Sequence, residues 1–370
     1  MTWQRSSPGL RVHAHRRLAV APQCGAITEL MTRSPAVCIA LAAFLAPAFL
    51  APALEAQFVR GLVVDSSGAP VPFAIVMLAD SSRSVLTDSK GIFRIGDLAR
   101  ARYRVRVRQI GFRPAERDVE AGDSLVAVRD TLRLVRMAVM LETVTVGPTA
   151  ACRQTGFASA GGEGVAELFE QLSLNAQRWV MIKAAGPDSI RYERNRSYLG
   201  PNGTLLGDKT DTISLPRMRS ERYQPGAMLR QESSGHLVLI VPAIEDLADA
   251  RFLGTHCFRY AAQEFVGGRS AHRIDFEPAA DLTGVDVRGA AWLDVGSLLL
   301  LQVEYHVTGM DKPQRGVVTY NPVVKSTFVT GIDGAPRMAT GTITQQVRKG
   351  TYQGKDVAVS IVRHRLLEKF

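Results

Sequence analysis

The sequence has 370 residues and a formal net charge of +10, with 45 basic and 35 acidic side chains. Removing residues 1–56, which hold five arginines and two acidic residues, leaves a charge of +7 on 314 residues, a length that suits two domains. Basic chains often bind nucleic acid, but the export signal at the start of this one excludes nucleic acid as the expected partner.

Residues 1–56 are predicted to be a signal peptide region. A basic start precedes an apolar run at residues 36–50, and small residues lead to Ala56. We expect translation to start at Met31 and cleavage to follow Ala56, with Ala53 as the alternative. A membrane anchor is the competing interpretation, but the run is shorter than the ~20 residues of a spanning helix and prolines interrupt or flank it. The mature chain is therefore predicted to be periplasmic, outer-membrane-associated or secreted, without a transmembrane span.

Residues 58–112 alternate short strands with turn residues. Strands are predicted at residues 58–65, 72–79, 92–95 and 101–110. Turns are predicted at residues 66–70 and 88–91, because Gly and Asp stand there where turns need a positive φ or a side chain that caps its own backbone. Strands at this spacing predict an antiparallel β-sandwich.

Five motifs in this stretch carry a family resemblance. They are Gly61-x-Val63-x-Asp65-x-x-Gly68-x-Pro70, Ala74-x-Val76-x-Leu78, Thr87-Asp88-x-x-Gly91-x-Phe93, Tyr103-x-Val105-x-Val107 and Gly111-Phe112. Together they resemble a carboxypeptidase regulatory-like domain, and residues 141–146 resemble the segment that closes it, so the module is assigned to residues 57–146. The resemblance implies a seven-stranded, transthyretin-like sandwich of the kind found beside zinc carboxypeptidases and at the N-terminus of TonB-dependent outer-membrane receptors. It implies an accessory role in binding or docking without catalytic residues, with carbohydrate as the expected ligand and an outer-membrane protein as a further partner.

Alternate positions of one predicted strand are arginines. They are Arg100, Arg102, Arg104, Arg106 and Arg108. Because alternate side chains of a strand point to opposite faces, these five form a row ~26 Å long that favours an anionic polymer, such as lipopolysaccharide or an acidic envelope polysaccharide. The alternative is a solvated strand whose arginines pair with acids of neighbouring strands, for which Asp65, Asp118 and Glu120 are available.

Residues 147–150, Gly-Pro-Thr-Ala, are predicted to link the module to a second β-rich region, residues 151–370. A helix is predicted at residues 164–179 from its apolar spacing, and residues 192–226 are interpreted as a polar middle segment. Strands are predicted at residues 236–241, 271–276, 288–294, 298–307, 316–320, 340–347 and 356–366. The whole chain is thus predicted to be mainly β, an antiparallel sandwich followed by one curved antiparallel sheet with a helix packed on it.

The second region carries two further resemblances. The segments around Gly254, Ile274 and Trp292 are similar to a tail that follows this module in other predicted secreted bacterial proteins. The hairpin Gly289-x-x-Trp292-Leu-Asp294, with the strand that follows, resembles hairpins of periplasmic lipoprotein-carrier half-barrels. That second likeness implies a lipid carrier, and a cavity lined by residues 298–301 and closed by the predicted helix would support this interpretation.

Two cysteines remain after removal of the leader, Cys152 and Cys257. An even count in an oxidising compartment predicts a structural disulfide between them. Two buried free thiols are the alternative, and a metal site built from His256, Cys257 and His272 is a third interpretation that the disulfide would preclude.

Catalytic motifs are missing from the sequence. None of the five histidines after residue 56 is followed by Glu at the His-x-x-Glu spacing of a zinc carboxypeptidase, and no nucleophile elbow or phosphate-binding loop is present. Asp275 and Glu277 share one strand face and could form a carboxylate pair, but a solvated face beside Arg273 is the favoured interpretation. We therefore predict no catalytic residue, no metal and no cofactor.

Three functions compete at this point. The favoured one is an exported, non-catalytic cell-envelope protein that uses its N-terminal module for binding or docking. A relative of TonB-dependent receptors is the second, although the residues after 146 are too few for a plug and a barrel. A lipid or lipoprotein carrier, or an enzyme whose site lies in the second region, is the third.

Overall fold

The computed structural model describes residues 57–79, 81–121, 130–137, 152–156, 163–185, 189–216, 222–231, 237–310, 319–331 and 336–367. The predicted signal region and the predicted linker lie outside the described residues, and the domain boundaries remain predictions. The described part is built mainly of strands, which confirms the predicted fold class. None of its helices is long and apolar enough to cross a membrane.

The N-terminal strands are β1 (Gln57–Val64), β2 (Ile75–Leu78), β3 (Ser84–Leu86), β4 (Ile92–Leu98), β5 (Arg102–Arg108), β6 (Ala115–Glu120) and β7 (Asp130–Arg133). Then follow helix α1 (Glu163–Ala185), β8 (Ser189–Leu199), β9 (Leu205–Pro216), β10 (Leu229–Gln231), β11 (Leu237–Leu239), a 3-10 turn (Asp246–Ala248) and helix α2 (Ala250–Thr255). The last strands are β12 (His256–Val266), β13 (Arg269–Pro278), β14 (Asp286–Asp294), β15 (Leu300–Thr308), β16 (Thr319–Thr330), β17 (Pro336–Val347), β18 (Thr351–Tyr352), β19 (Lys355–Asp356) and β20 (Val359–Leu366).

The seven N-terminal strands form two sheets, β4-β1-β7 and β3-β2-β5-β6, as predicted for the sandwich. Alternation places Val105 and Val107 in a fully buried core while the arginines of β5 point away from it. Neighbouring strands are antiparallel except β1 and β7, which run parallel. The sandwich core is therefore built from the same alternation that the sequence shows.

The Asp and Gly residues of the motifs shape the turns. Asp88 accepts hydrogen bonds from the backbone N–H groups of Lys90 and Ile92, at 2.8 and 2.9 Å, and Asp65 caps the preceding turn in the same way. Gly91 has φ of 75°, and a Cβ there would lie 2.5 Å from the Val63 carbonyl oxygen. Only glycine fits this turn without displacing the backbone of β1.

The second region contains a nine-stranded antiparallel sheet in the order β12-β13-β14-β15-β16-β17-β20-β8-β9. Its inner face is the face that packs against α1. The main hydrophobic cluster joins this face to the helix through Leu168, Phe169, Phe258, Ile274 and Tyr305, with Phe169 and Phe258 meeting edge to face at 5.8 Å between ring centroids. The predicted sheet and its packed helix are thus confirmed.

A buried asparagine fixes α1 to the hairpin between β14 and β15. The side chain of Asn175 donates to the Leu298 carbonyl and accepts from the Leu300 N–H, both at 2.9 Å. Leu298 and Leu300 are each 2% exposed. Leu298 and Leu300 therefore pack into the core against the helix and do not line the cavity that would have supported a carrier.

The sandwich rests on α1. Arg108 bonds Glu170 at 3.0 Å, and the Gly111 N–H donates to Gln171 at 2.8 Å. Ile75 and Ile110, from the sandwich, belong to the hydrophobic cluster of the second region. One end of the outer surface of the β3-β2-β5-β6 sheet is therefore an interface within the chain.

Several elements depart from the sequence prediction, including β12 (His256–Val266), where the sequence predicted no strand. The segment interpreted as polar, residues 192–226, contains most of β8 and β9, and α1 continues six residues beyond Trp179. β8 was missed because it places charged side chains on both faces, such as Arg191 and Arg194, so it lacks the polar–apolar alternation of a half-buried strand. β9 was missed because it is an edge strand with mostly exposed side chains.

Candidate functional site

The arginine row of β5 faces a row of acids on β6. Arg102, Arg104 and Arg106 lie opposite Glu120, Asp118 and Glu116, with N···O distances of 3.7, 3.2 and 3.4 Å. Arg108, at the end of the row, bonds Glu170 of α1 and Gln177. Arg100 precedes β5 and is exposed. The acids reduce the positive charge that this face offers to an anionic polymer, and binding by the row stays a prediction.

The ion pairs of this row differ in burial, and we therefore expect them to differ in their contribution to stability. The side chain of Arg108 is 14% exposed, whereas that of Arg102 is 69% exposed. Replacing Arg108 by alanine is expected to lower the free energy of unfolding by about 2 kcal/mol, because it leaves Glu170 without its half-buried partner. The matched change Arg102→Ala should cost less than about 1 kcal/mol. Urea denaturation measures both, and equal losses would show that the contact with α1 contributes nothing beyond a surface pair.

The carboxylates and sulfur singled out in the sequence are already engaged. Asp275 accepts from the Nε of Arg273 at 2.6 Å and bonds Arg259 at 3.3 Å, in line with the solvated, paired interpretation. Cys257 forms a disulfide with Cys152, so its sulfur is not available as the metal ligand considered in the sequence analysis. Within the described ranges, no group of three or more His, Cys, Asp or Glu residues could hold a metal ion.

His272 lies in the core without a hydrogen-bond partner. It is 3% exposed, and neither ring nitrogen has a partner among the described residues. Burial lowers the pKa of His272, opposed by the charge of Asp294, so the ring is neutral at pH 7. Asp294 itself pairs with Arg269 at 2.9 Å and accepts from the Ser297 N–H. The histidine therefore packs as an apolar ring beside Tyr260.

A polar network that sequence reasoning missed lies between the sheet and the segment before β10. Asp286 accepts from the Tyr223 hydroxyl at 2.6 Å and from the Gly226 N–H at 2.7 Å, and His256 Nε2 lies 3.2 Å from the same carboxylate. Burial raises the pKa of Asp286, but the hydrogen bonds from His256, Tyr223 and Gly226 outweigh it and hold this pKa below its usual value. The three side chains are 0–2% exposed.

This network has the residue types of an acid–base site but no access for a substrate. Phe252 stacks on the His256 ring at 4.0 Å between centroids, and Tyr223 packs edge-on against Phe252. Both ring nitrogens of His256 lie against backbone carbonyl oxygens as well. We interpret the network as structural, since it ties the segment containing Tyr223 to the edge of β14. Its members are far apart in sequence, so only the register of the strands brings them together.

The inner face of the sheet becomes less buried from β16 to β9. One row of inner-face residues crosses β15, β16, β17, β20 and β8, and each residue of the row is paired with the next. In order, these residues are Tyr305, Val324, Ile343, Val362 and Arg196. Tyr305 is buried in the core, whereas the next four are only half-buried. Among the described members of the main hydrophobic cluster, none comes from β17, β20, β8 or β9. The row therefore leads from a filled core to a half-exposed apolar surface.

The comparisons with known proteins found a matching family model and several similar solved structures. No curated protein matches the chain in sequence. Similar solved structures include a DUF1329 family protein from Desulfovibrio piger, at 9% identity over 55% of this chain and 94% of that one, with a TM-score of 0.28. A putative outer membrane lipoprotein-sorting protein domain from Vibrio parahaemolyticus is 15% identical over 54% of this chain and 92% of its own, with a TM-score of 0.27. A LolA superfamily protein from Nitrosomonas europaea is 10% identical over 55% and 93%, with a TM-score of 0.25.

At these TM-scores the structural likenesses carry no argument about function, which must come from the residues of this chain. The N-terminal module is different, because a family model matches it directly. The match falls within the predicted module and spans the sandwich strands from Val59 to Arg133. Residues 59–133 match the model of the carboxypeptidase regulatory-like domain, the family that the sequence motifs resemble.

Proposed function

We propose that this chain is an exported, non-catalytic cell-envelope protein that binds an apolar ligand on the inner face of its second region. The observation that carries the proposal is the row Val324, Ile343 and Val362: Val324 packs against the main hydrophobic cluster, and Ile343 and Val362 continue the row beyond that cluster. Half-buried aliphatic side chains side by side on one face of a sheet form an apolar surface. An apolar ligand that covers this surface removes it from water, which favours binding.

The opposite face supports this assignment. The outer face carries paired polar side chains, such as Arg365 with Glu193 at 3.0 Å and Thr327 with Thr340 at 2.6 Å, which suit contact with water. It also carries Val323 and Ile361, but Thr344 lies between them, whereas the inner row is aliphatic without a break from Val324 to Val362.

The carboxypeptidase regulatory-like domain fits a docking role within this proposal. Its sheet already docks on α1 through Arg108 and Gly111, and the remaining arginines lie exposed at the far end of the same sheet. Export is supported by the signal pattern of residues 1–56. Lipopolysaccharide or an acidic polysaccharide on the exposed arginines, and an outer-membrane protein as a partner, remain further proposals for this domain.

The test is binding of N-phenyl-1-naphthylamine, a neutral apolar dye, to the protein produced from the full sequence. Val362→Asp should weaken binding by about tenfold or more, because it places a charge on the apolar row. Ile361→Asp is the matched control, since Ile361 is the neighbouring residue, is also half-buried and lies on the outer face.

Binding by the wild type and by Ile361→Asp, with loss in Val362→Asp, would support the proposal. Absence of dye binding by the folded wild type, or equal binding by both variants, would refute it. A second arm offers lipopolysaccharide and acidic polysaccharide to the wild type and to the triple variant of Arg102, Arg104 and Arg106 with serine. Salt-sensitive binding lost in that variant would assign a separate site to the arginine row.

A further inference from the structure

We infer that the ligand of the inner face is an anionic lipid, an acyl chain that ends in a carboxylate or phosphate, and that Arg196 and Lys209 bind its head group. This inference rests on the proposed function, because it names the chemistry of the ligand for the same surface. It is carried by a cationic cluster at the β8–β9 end of the apolar row.

The cluster holds more positive than negative charge. Arg194, Arg196 and Lys209 lie on the inner face of β8 and β9, together with the carboxylate of Asp211. Arg194 occupies this carboxylate with two hydrogen bonds, at 2.9 and 2.6 Å. His364, opposite Arg194, adds no charge at pH 7, since burial and then Arg194 lower its pKa. Two positive charges therefore remain for a ligand.

Arg196 is the member of the cluster with donors to spare. It reaches Asp211 through one Nη, at 3.1 Å, and its side chain is 30% exposed although its Nε is buried, so the ligand would bind through the Nη groups. A guanidinium has five N–H donors and binds carboxylate or phosphate through two of them at once. Lys209 lies directly opposite Arg196 on β9 and is exposed. The pair thus presents two cations to one anionic group.

The cations and the apolar surface lie in one line. Arg196 is opposite Val362, Val362 is opposite Ile343, and Ile343 is opposite Val324. Three strand spacings separate Arg196 from Val324, a span of about 14 Å. This is comparable to the length of a medium acyl chain. A ligand lying across the strands would place its head at Arg196 and its chain toward the core.

An aromatic pair borders the cationic end. Tyr352, on the β18–β19 hairpin, stacks on Tyr198 with 5.1 Å between ring centroids. Its ring lies over Gly207, where a Cβ would collide with it. The two residues of the hairpin turn, Gln353 and Gly354, have φ of 50° and 80°, as a tight two-residue turn requires. The hairpin thus holds Tyr352 over the inner face, stacked on Tyr198. Tyr198 lies two residues from Arg196 along β8, so the two rings form a wall beside the head-group site.

The experiment compares dodecanoate with 1-dodecanol, which share a chain length and differ in charge, as competitors of N-phenyl-1-naphthylamine on the full-sequence protein. The wild type should bind dodecanoate about tenfold more tightly than dodecanol, as one charge-assisted hydrogen bond allows. Arg196→Gln should abolish that preference, because it should weaken dodecanoate binding far more than dodecanol binding. Arg363→Gln, on the outer face of β20, should keep it. Dodecyl phosphate extends the comparison to the second anionic head group.

The outcomes separate this inference from the proposed function. Equal binding of both competitors by the wild type would overturn the head-group site and leave the apolar ligand standing. If neither competitor displaced the dye, the proposed function would be refuted as well. If Arg196→Gln weakened both competitors equally, Arg196 would be a structural residue and the inference would fail. Should this variant not fold, Lys209→Gln replaces it, because Lys209 is exposed.

Discussion

Replacing Asp286 by alanine is expected to lower the free energy of unfolding by about 3–5 kcal/mol. The carboxylate is 2% exposed and holds four groups at once: the Tyr223 hydroxyl, the Gly226 N–H, its own neighbour Val287 N–H and the ring of His256. Alanine removes this acceptor from the Tyr223 hydroxyl and from the N–H groups of Gly226 and Val287, and a buried donor without an acceptor destabilises the fold. Urea denaturation at pH 7 measures the loss.

The pH dependence of this loss provides an independent check. Because the pKa of Asp286 is lower in the folded state than its ordinary value of 3.8, the carboxylate stabilises the fold above pH 3.8. That contribution disappears as the pH falls through the folded pKa, so the wild type and Asp286→Ala should converge in acid. Asp118→Ala, which removes an exposed partner of Arg104, is the control and should cost less than about 1 kcal/mol. A loss at Asp286 no larger than at Asp118 would contradict the structural role of the network.

Local chemistry explains why the sandwich was predictable from sequence. Asp88 and Gly91 bear the signal of a turn in their own residue types, and the alternation around Val105 and Val107 gives the buried face directly. β8 and β9 carry no such signal. They are strands because the sheet extends over them through β20, so their pairing is decided by tertiary context that residues such as Arg194 do not reveal.

The candidate site was predictable only in part, for the same reason. The arginine row appears in the sequence as a simple alternation, and Asp118 and Glu120 were recognised there as available partners. The row from Val324 to Arg196 joins positions more than a hundred residues apart, and a register shift of one residue would turn each of them to the outer face. The sequence shows these residues as isolated side chains, and the strand register makes them one surface.

The remaining large effect concerns the disulfide between Cys152 and Cys257. Replacing both by serine should lower the free energy of unfolding by about 4–5 kcal/mol, because the bond closes a loop across a sequence separation of 105 and restricts the unfolded chain.

Among the described residues, backbone hydrogen bonds also connect residues 152–156 to the rest of the second region. The Gly156 N–H donates to the His256 carbonyl at 2.7 Å, and the Cys152 carbonyl accepts from the Ala280 N–H at 2.9 Å. Guanidinium denaturation of the wild type and of the double serine variant, each with and without reductant, measures the effect. Reductant should bring the wild type to the stability of the variant and leave the variant unchanged. Equal stability of the variant and the oxidised wild type would show that the sheet holds this segment without the bond. The predicted difference would instead make the disulfide an important restraint between residues 152–156 and the sheet that carries the proposed lipid site.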